Sequence, residues 1–467
     1  MKRLTNQKSE LENIQAVRYG KMKTLLKYGS CASLLAMLML PATPVQASAF
    51  VQCPGDTTGD AVIDTPDPAH PNAVCMHLSS GDGYTNVPGR KEMYGFGFGV
   101  ITDMNRAGDD MTGKTVTPLE DSHDVGILNA QFTAPTIVLN EGEEFYLSLS
   151  NTGMIERPDL FDAHTVHFHG FPNASSVFDG VPDASIAINM GATLTYYYNI
   201  VEPGTYLYHC HVEAAEHMQM GMQGNLYVHP AQDGTVTIPD STAPAADTRT
   251  FSKFAYNDVS NYGQGGSTGY DKEYPLMLSG MDSNFHDAHI AVQPLPFAEM
   301  RDNYHLFNGR GYPATVEAND YYITAAGRGP AQDKIATRIG DMVNAAAVSA
   351  GYKQNFNTQP YSSKMEAVQG EKLLLRITNL SITKFHTIAV LGIPMKVIGT
   401  GGRELKDKYY TNSVNLGGGE SFDVILDTKD VTPGTYYVYT NELHQLSNNT
   451  ESFGGAMTEI VVSAAAI

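Results

Sequence analysis

The chain has 467 residues, of which 42% are hydrophobic and 17% charged, and its formal net charge is −20. That length suits two or three domains with substantial cores. The acidic balance excludes partners recognised through their phosphates, because nucleic acid and anionic membrane surfaces would be repelled.

Residues 1–49 read as a secretory signal peptide. From Met22, which can serve as the true start, Lys23 and Lys27 form a basic opening, Cys31 to Leu40 an apolar run, and Ala47-Ser48-Ala49 a small-residue cleavage site. The apolar run is too short to span a bilayer, so no membrane anchor is expected and the location is periplasmic or secreted. This segment carries seven Lys/Arg and two Asp/Glu, so its removal takes the formal charge to −25. Of the three cysteines that remain, Cys210 lies between two histidines and is reserved for a metal. Cys53 and Cys75 are then expected to pair as a disulfide, pinning a Pro/Gly/Asp-rich segment over 50–92.

From Lys91 the pattern changes to short strands separated by Gly, Pro, Asn and Asp. They are Tyr94–Ile101, Thr136–Val138, Glu144–Leu149, Thr193–Asn199, Gly204–Tyr208 and Gly224–Val228. Such spacing predicts an all-β sandwich over 93–232. Residues 233–272 read as a linker. A second sandwich follows over 273–467, with a first strand near Tyr274–Ser279, a long interruption over about 313–362 that could hold a helix from Ile335 to Ala350, and a strand within Gly370–Asn379. Val431-Thr-Pro-Gly-Thr-Tyr436 echoes Val201-Glu-Pro-Gly-Thr-Tyr206, an internal repeat that makes the two sandwiches relatives of one another.

Two histidine clusters lie in the first sandwich: His164, His167 and His169, then His209-Cys210-His211 followed by His217, Met220 and Met222. Successive side chains on a strand point to opposite faces. His209 and His211 therefore share one face and Cys210 takes the other. His167 and His169 share a face, and His164 points away. The parity sends Cys210 and His164 inward, to meet His217 and a methionine. A thiolate, two imidazoles and a long axial thioether form the ligand set of a blue copper centre. The four remaining histidines, His167, His169, His209 and His211, would gather outside that core and could hold more copper.

These motifs resemble the multicopper oxidases, in particular the two-domain kind related to laccases and copper nitrite reductases. The resemblance rests on His164-x-x-His167-x-His169 and on His209-Cys210-His211…His217…Met222. Milder matches are Asn129–Ile137, Glu141-Gly-Glu143, Asp179-Gly-Val-Pro182 and Glu202-Pro-Gly-Thr-Tyr206. It covers 93–232 strongly and 366–463 more loosely. One departure is the step from Cys210 to His217, seven residues where the family has five, which reads as a two-residue insertion. The family's His-to-Met step then selects Met222 over Met220 as the axial ligand.

The resemblance implies two cupredoxin-like Greek-key β-sandwich domains, copper as a type 1 centre plus a type 2/type 3-like cluster, and a homotrimer in which the cluster lies between domain 1 of one chain and domain 2 of the next. Aligned on the repeat, Thr440 stands at His209, Asn441 at Cys210 and Ala456 near the axial methionine, so domain 2 has no blue site of its own. His386 and His444 fall on the elements that carry ligands in domain 1 and are the catalytic and metal-ligand candidates there. His70, His77, His123, His229, His286, His289 and His305 have no partner pattern and read as structural.

The implied activity is oxidation of a small-molecule or metal-ion electron donor, one electron at a time, coupled to reduction of O2. A nitrite reductase-like enzyme and a copper electron carrier without catalysis are the rivals. His167 at the position of the reductases' catalytic aspartate, and His211 after the cysteine, count against the former.

Overall fold

The computed structural model describes residues 52–102, 126–171, 175–257, 265–317 and 362–465, apart from 58, 60, 88 and 89. The signal peptide over 1–49 and the helix expected at Ile335–Ala350 lie outside the described residues. No described helix is long and apolar enough to cross a membrane.

The first sandwich holds β1 (Ala73–Val87), β2 (Arg90–Val100), β3 (Ala134–Asn140), β4 (Glu144–Gly153), β5 (His167–His169), β6 (Thr193–Asn199), β7 (Gly204–His209) and β8 (Gln223–His229). Its sheets run β2-β1-β4-β6 and β3-β8-β7-β5, with parallel pairs at β1–β4 and β3–β8. Inward residues such as Leu147, Leu149, Tyr196, Tyr208 and Leu226 bury completely between the sheets, as alternation requires.

The boundary expected at residue 93 falls inside β2 and needs correction. β1 lies in the middle of its sheet, paired with β2 on one side and β4 on the other, so the segment read as a pinned appendage supplies a core strand. Its run of Gly, Ser, Asp and Thr hides that role. Burial comes from neighbours on both sides rather than from the strand's own apolar content. The expected disulfide, Cys53–Cys75, joins the preceding loop to this strand.

Between the sandwiches, β9 (Ile238–Pro239) pairs with β10 (Thr250–Phe251), and β11 (Lys253–Phe254) with β12 (Gly269–Tyr270). Ala255, Tyr256 and Tyr270 pack against Leu374, Ile398 and Ile425 of the second sandwich, so the expected linker is a packed strap. The second sandwich holds β13 (Lys272–Met281), β14 (Tyr304–Phe307), β15 (Met365–Val368), β16 (Lys372–Asn379), β17 (His386–Val390), β18 (Met395–Thr400), β19 (Arg403–Thr411), β20 (Ser413–Leu416), β21 (Glu420–Asp427), β22 (Gly434–Thr440) and β23 (Met457–Ser463). Its sheets run β14-β13-β16-β21-β18-β19 and β15-β23-β22-β17-β20. The parallel pairs β13–β16 and β15–β23 repeat those of the first sandwich, which is the structural form of the sequence repeat.

A buried ionic network joins the two sandwiches. Arg376 on β16 is fully buried; its Nε donates to Glu273 Oε2 at 2.8 Å and its Nη1 to Thr205 Oγ1 on β7 at 3.1 Å. Its guanidinium lies 4.6 Å over the Tyr227 ring of β8. Glu273 also meets His229 Nε2 at 2.6 Å. A buried charge is tolerated when it is paired with a carboxylate and further donors and acceptors in this way, although Arg376 Nη2 itself makes no hydrogen bond.

Among the described residues two short helices complete the frame: α1 (Ala214–Met220), between β7 and β8, and α2 (Ser283–Ile290), between β13 and β14. Although α2 follows a strand of the second sandwich, its Phe285 belongs to the apolar core of the first, with Cys210, Met220 and Met222.

Candidate metal centres

Among the described residues, three histidine-containing assemblies emerge. In the first, His164, Cys210 and His217 are fully buried with their ligand atoms within 4.8 Å of one another. Cys210 Sγ lies 3.2 Å from His217 Nδ1 and 3.8 Å from His164 Nδ1. Cys210 follows the last residue of β7, whose register sets its side chain inward, while α1 wraps back to present His217. The turn is closed by the His217 carbonyl, which accepts from the amides of Gly221 and Met222. Gly221 takes a φ of 121°, where a Cβ would strike the Phe132 ring. The residues added between Cys210 and His217 thus form the start of a helix. Met220 and Met222 are both fully buried in the same core.

Burial acts against a charge on His217, but the adjoining Cys210 sulfur and the Asp162 carboxylate, 3.9 Å from Nε2, outweigh it and push the imidazole up. Burial holds His164 well below the usual histidine range. A thiol and two ring nitrogens converging in a dry core, with Nε2 of both histidines lacking a hydrogen-bond partner, form a donor set that suits a soft cation such as copper.

The second assembly lies on the other side of the strand. His167, His169 and His209 bring one nitrogen each within 4.8 Å of one another. His211 joins them, its ring centroid 5.0 Å from that of His167. β5 and β7 pair so that His167 stands opposite His209. The outer nitrogens face backbone carbonyls: His167 Nδ1 donates to Asp179 O at 2.6 Å, His209 Nδ1 to Cys210 O at 2.7 Å, and His169 Nδ1 lies 3.4 Å from Gly419 O. These partners assign each neutral ring the tautomer with a bare Nε2.

His169 Nε2 and His209 Nε2 then face each other at 2.9 Å with lone pairs opposed. A proton between them is disfavoured, since burial lowers His169 and takes His209 down to about 3. A shared cation resolves the opposition, so these residues fit a metal ion held by imidazoles. A cavity of about 370 Å³ opens beside them, lined by His167, His169, Asp179 and, from the second sandwich, Gly401, Gly419 and Ser421.

The third assembly lies in the second sandwich and was only partly legible in sequence. His386 on β17 and His444 in the turn at Leu443–Leu446 were singled out; His305 on β14 was not. Its ring centroid lies 5.8 Å from that of His386 and 5.7 Å from that of His444. His305 comes from a distant part of the chain and from the other sheet, so no local motif betrays it. The available signal was its place on a short strand, Tyr304–Phe307, just ahead of the Asn308-Gly309 turn. His386 is fully buried and neither ring nitrogen makes a well-formed hydrogen bond, though the Gln445 side chain lies near enough to favour its charged form; His305 Nδ1 also lacks a partner. Burial pushes His305 down to about 3 and His386 to about 4, so both are neutral donors at physiological pH. His444 is exposed, as are its neighbour Leu443 and the residue before His386, Phe385.

His286 and His289, read as structural, both serve packing. His286 Nε2 donates to Gln219 O at 3.0 Å, and His289 Nε2 meets Glu216 Oε1 at 2.8 Å.

Two family models, each described as multicopper oxidase, match residues 110–233 and 303–464. Among curated relatives, the laccase abr2 of Aspergillus fumigatus is 34% identical over 123 residues, 26% of this chain and 19% of that protein. An L-ascorbate oxidase of Cucurbita maxima is 22% identical over 67% of this chain and 44% of its own length. The copper resistance protein A of Pseudomonas syringae pv. tomato is 23% identical over 68% and 44%. The chain therefore spans less than half the length of these relatives. Among solved structures, the blue copper oxidase from Nitrosomonas europaea aligns with a TM-score of 0.53 at 20% identity, covering 84% of this chain and 86% of that one. A copper nitrite reductase from the same organism aligns at 0.50 and 15% identity, covering 84% and 94%. At such identities these likenesses speak to fold alone.

Proposed function

The chain belongs to the multicopper oxidases, and from that premise we propose that it couples one-electron oxidation of a reducing substrate to the reduction of O2. One observation carries the reading. Cys210 points into the set with His164 and His217, while the residues on either side of it, His209 and His211, point into the imidazole set. In this reading His164, Cys210, His217 and Met222 hold the type 1 copper. His167, His169, His209 and His211 hold part of a cluster. His305, His386 and His444 of a neighbouring copy in a homotrimer complete it.

Copper, when bound, supplies a one-electron couple at the cysteine and oxygen-reducing chemistry at the imidazoles. The residues do the rest. A bond path of a few atoms runs from Cys210 Sγ to its carbonyl, which accepts the His209 Nδ1 proton at 2.7 Å and so links the two sets twice. The same hydrogen bond, and those to Asp179 O and Gly419 O, aim the ring nitrogens and raise their basicity. Asp179 is the carboxylate among the residues lining the cavity, positioned to pass protons to reduced oxygen. The exposed apolar residues Phe385 and Leu443 beside the third assembly suit coverage by a second copy. Export to the periplasm or beyond accords with the disulfide and the expected signal peptide.

The test is copper content per fully loaded chain, together with oxygen uptake on a phenol and on cuprous or manganous ions. Two or more coppers with a blue band and oxygen uptake are expected. One copper and no uptake would leave the electron carrier. A second reading, nitrite reduction, is favoured by the three imidazoles of the second sandwich, where the His305 ring lies 5.8 Å from that of His386 and 5.7 Å from that of His444, and nitric oxide release from nitrite would identify it.

A further inference from the structure

α1 carries His217, yet much of what holds α1 comes from the second sandwich. Met218 packs against Met277 and Leu380. The Gln219 carbonyl accepts from His286. The Gln219 side chain, nearly fully buried, donates from Nε2 to Asp302 Oδ1 at 3.0 Å. The other oxygen of that carboxylate, Oδ2, accepts from Ser381 Oγ at 3.0 Å.

Asp302 stands three residues before His305, and Ser381 stands five before His386. β13 makes room for the carboxylate. A Cβ at Gly280 would lie 2.1 Å from Asp302 Oδ2 and 2.6 Å from Ser381 Oγ, so only glycine lets the strand pass. Burial pushes the Asp302 carboxyl up to about 6, against the Thr383 and Ser381 hydroxyls, which favour its charged form.

We propose that Asp302 is a positioning residue shared by two copper sites of the assembly, tying the helix that bears His217 of one blue centre to the segments that bear His305 and His386, which complete the cluster of an adjacent copy. The inference rests on the copper reading above. A buried carboxylate that bridges two elements in fixed directions allows neither to shift without the other, because releasing one donor leaves a buried acceptor unpaired. The orientation of His217 and the spacing of the second-sandwich imidazoles are thereby coupled, although no copper ligand touches Asp302 itself.

The test uses the full-length, copper-loaded protein and reads the blue centre and the remaining copper separately. Asp302→Ala cuts both ties. It is expected to shift the reduction potential and the EPR hyperfine splitting of the blue copper, and to weaken copper retention outside the blue centre several-fold in a chelator titration, less than the roughly tenfold at which loss of a group bonded directly to a ligand begins. Asp302→Asn is expected to restore both, since its oxygen can still accept from Gln219 and its amide can donate to a reversed Ser381 hydroxyl.

Two single-arm variants keep the inference testable if Asp302→Ala does not fold. Gln219→Leu should move the blue centre more than the remaining copper, and Ser381→Ala the remaining copper more than the blue centre. Wild-type potential, EPR spectrum and copper retention in both would overturn the proposal. A wild-type protein that takes up copper without any blue band would overturn the underlying reading first, and this inference with it.

Discussion

Replacing His386 with glutamine should make the copper-free protein less sensitive to acid. His386 is fully buried, and burial takes its folded pKa to about 4, against about 6.5 for a histidine in water. The unfolded chain therefore binds a proton that the folded chain refuses. Stability is intact above the unfolded value and is lost as pH falls from 6.5 towards 4. At pH 5 the unfolded histidine is almost wholly protonated and the folded one hardly at all. The difference, about 1.5 pH units, amounts to about 2 kcal/mol relative to pH 7.

Glutamine is neutral throughout and lacks this term. The assay is urea unfolding of chelator-treated wild type and His386→Gln at pH 7 and pH 5. Any pH-independent change in stability from glutamine cancels in the double difference, as do titrating groups remote from His386; His305, whose imidazole His386 helps to hold down, does not cancel and adds a smaller change. The wild type should lose about 2 kcal/mol more than the variant on acidification. Equal losses would show that His386 takes up its proton in the folded state, through a partner or solvent contact that its burial denies, and the reasoning would fail.

Cys210→Ser should abolish the intense blue absorption of the copper-loaded protein while circular dichroism stays that of the wild type, because a hydroxyl cannot replace a charge-donating thiolate; a variant that stays blue refutes the assignment. Met222→Leu should raise the reduction potential of that copper and Met220→Leu leave it unchanged, read by redox titration, with exchanged results naming Met220 as the axial ligand. Removing the disulfide by Cys53→Ala with Cys75→Ala, at a sequence separation of 22, should cost about 3 kcal/mol in denaturant unfolding; no change in midpoint would show that the loop is held by other contacts. Phe285→Ala should cost about 3–5 kcal/mol, since this ring of α2 is fully buried in the core of the first sandwich; a loss under 1 kcal/mol would mean that α2 does not seal that core.

The sequence by itself determined what depends on short range. Strand alternation sets which way a side chain points, so the residues from His164 to His169 and from His209 to His217 were enough to divide one thiol and six histidines into an inward and an outward set. The repeated Pro-Gly-Thr-Tyr turn likewise revealed two related sandwiches, because a turn requires its own residue types. What only the tertiary structure decided lies at long range. β1 reads as a polar stretch and becomes a central strand because its neighbours lie on both sides. His305 reads as an isolated histidine and meets His386 and His444 only because β14 and β17, in different sheets, end at the same place. The carboxylate of Asp302 finds Gln219, 83 residues away in the chain, across the boundary between the sandwiches. Such contacts are fixed by how sheets stack and which loops face each other, and side chains brought together that way leave no periodicity along the chain to read.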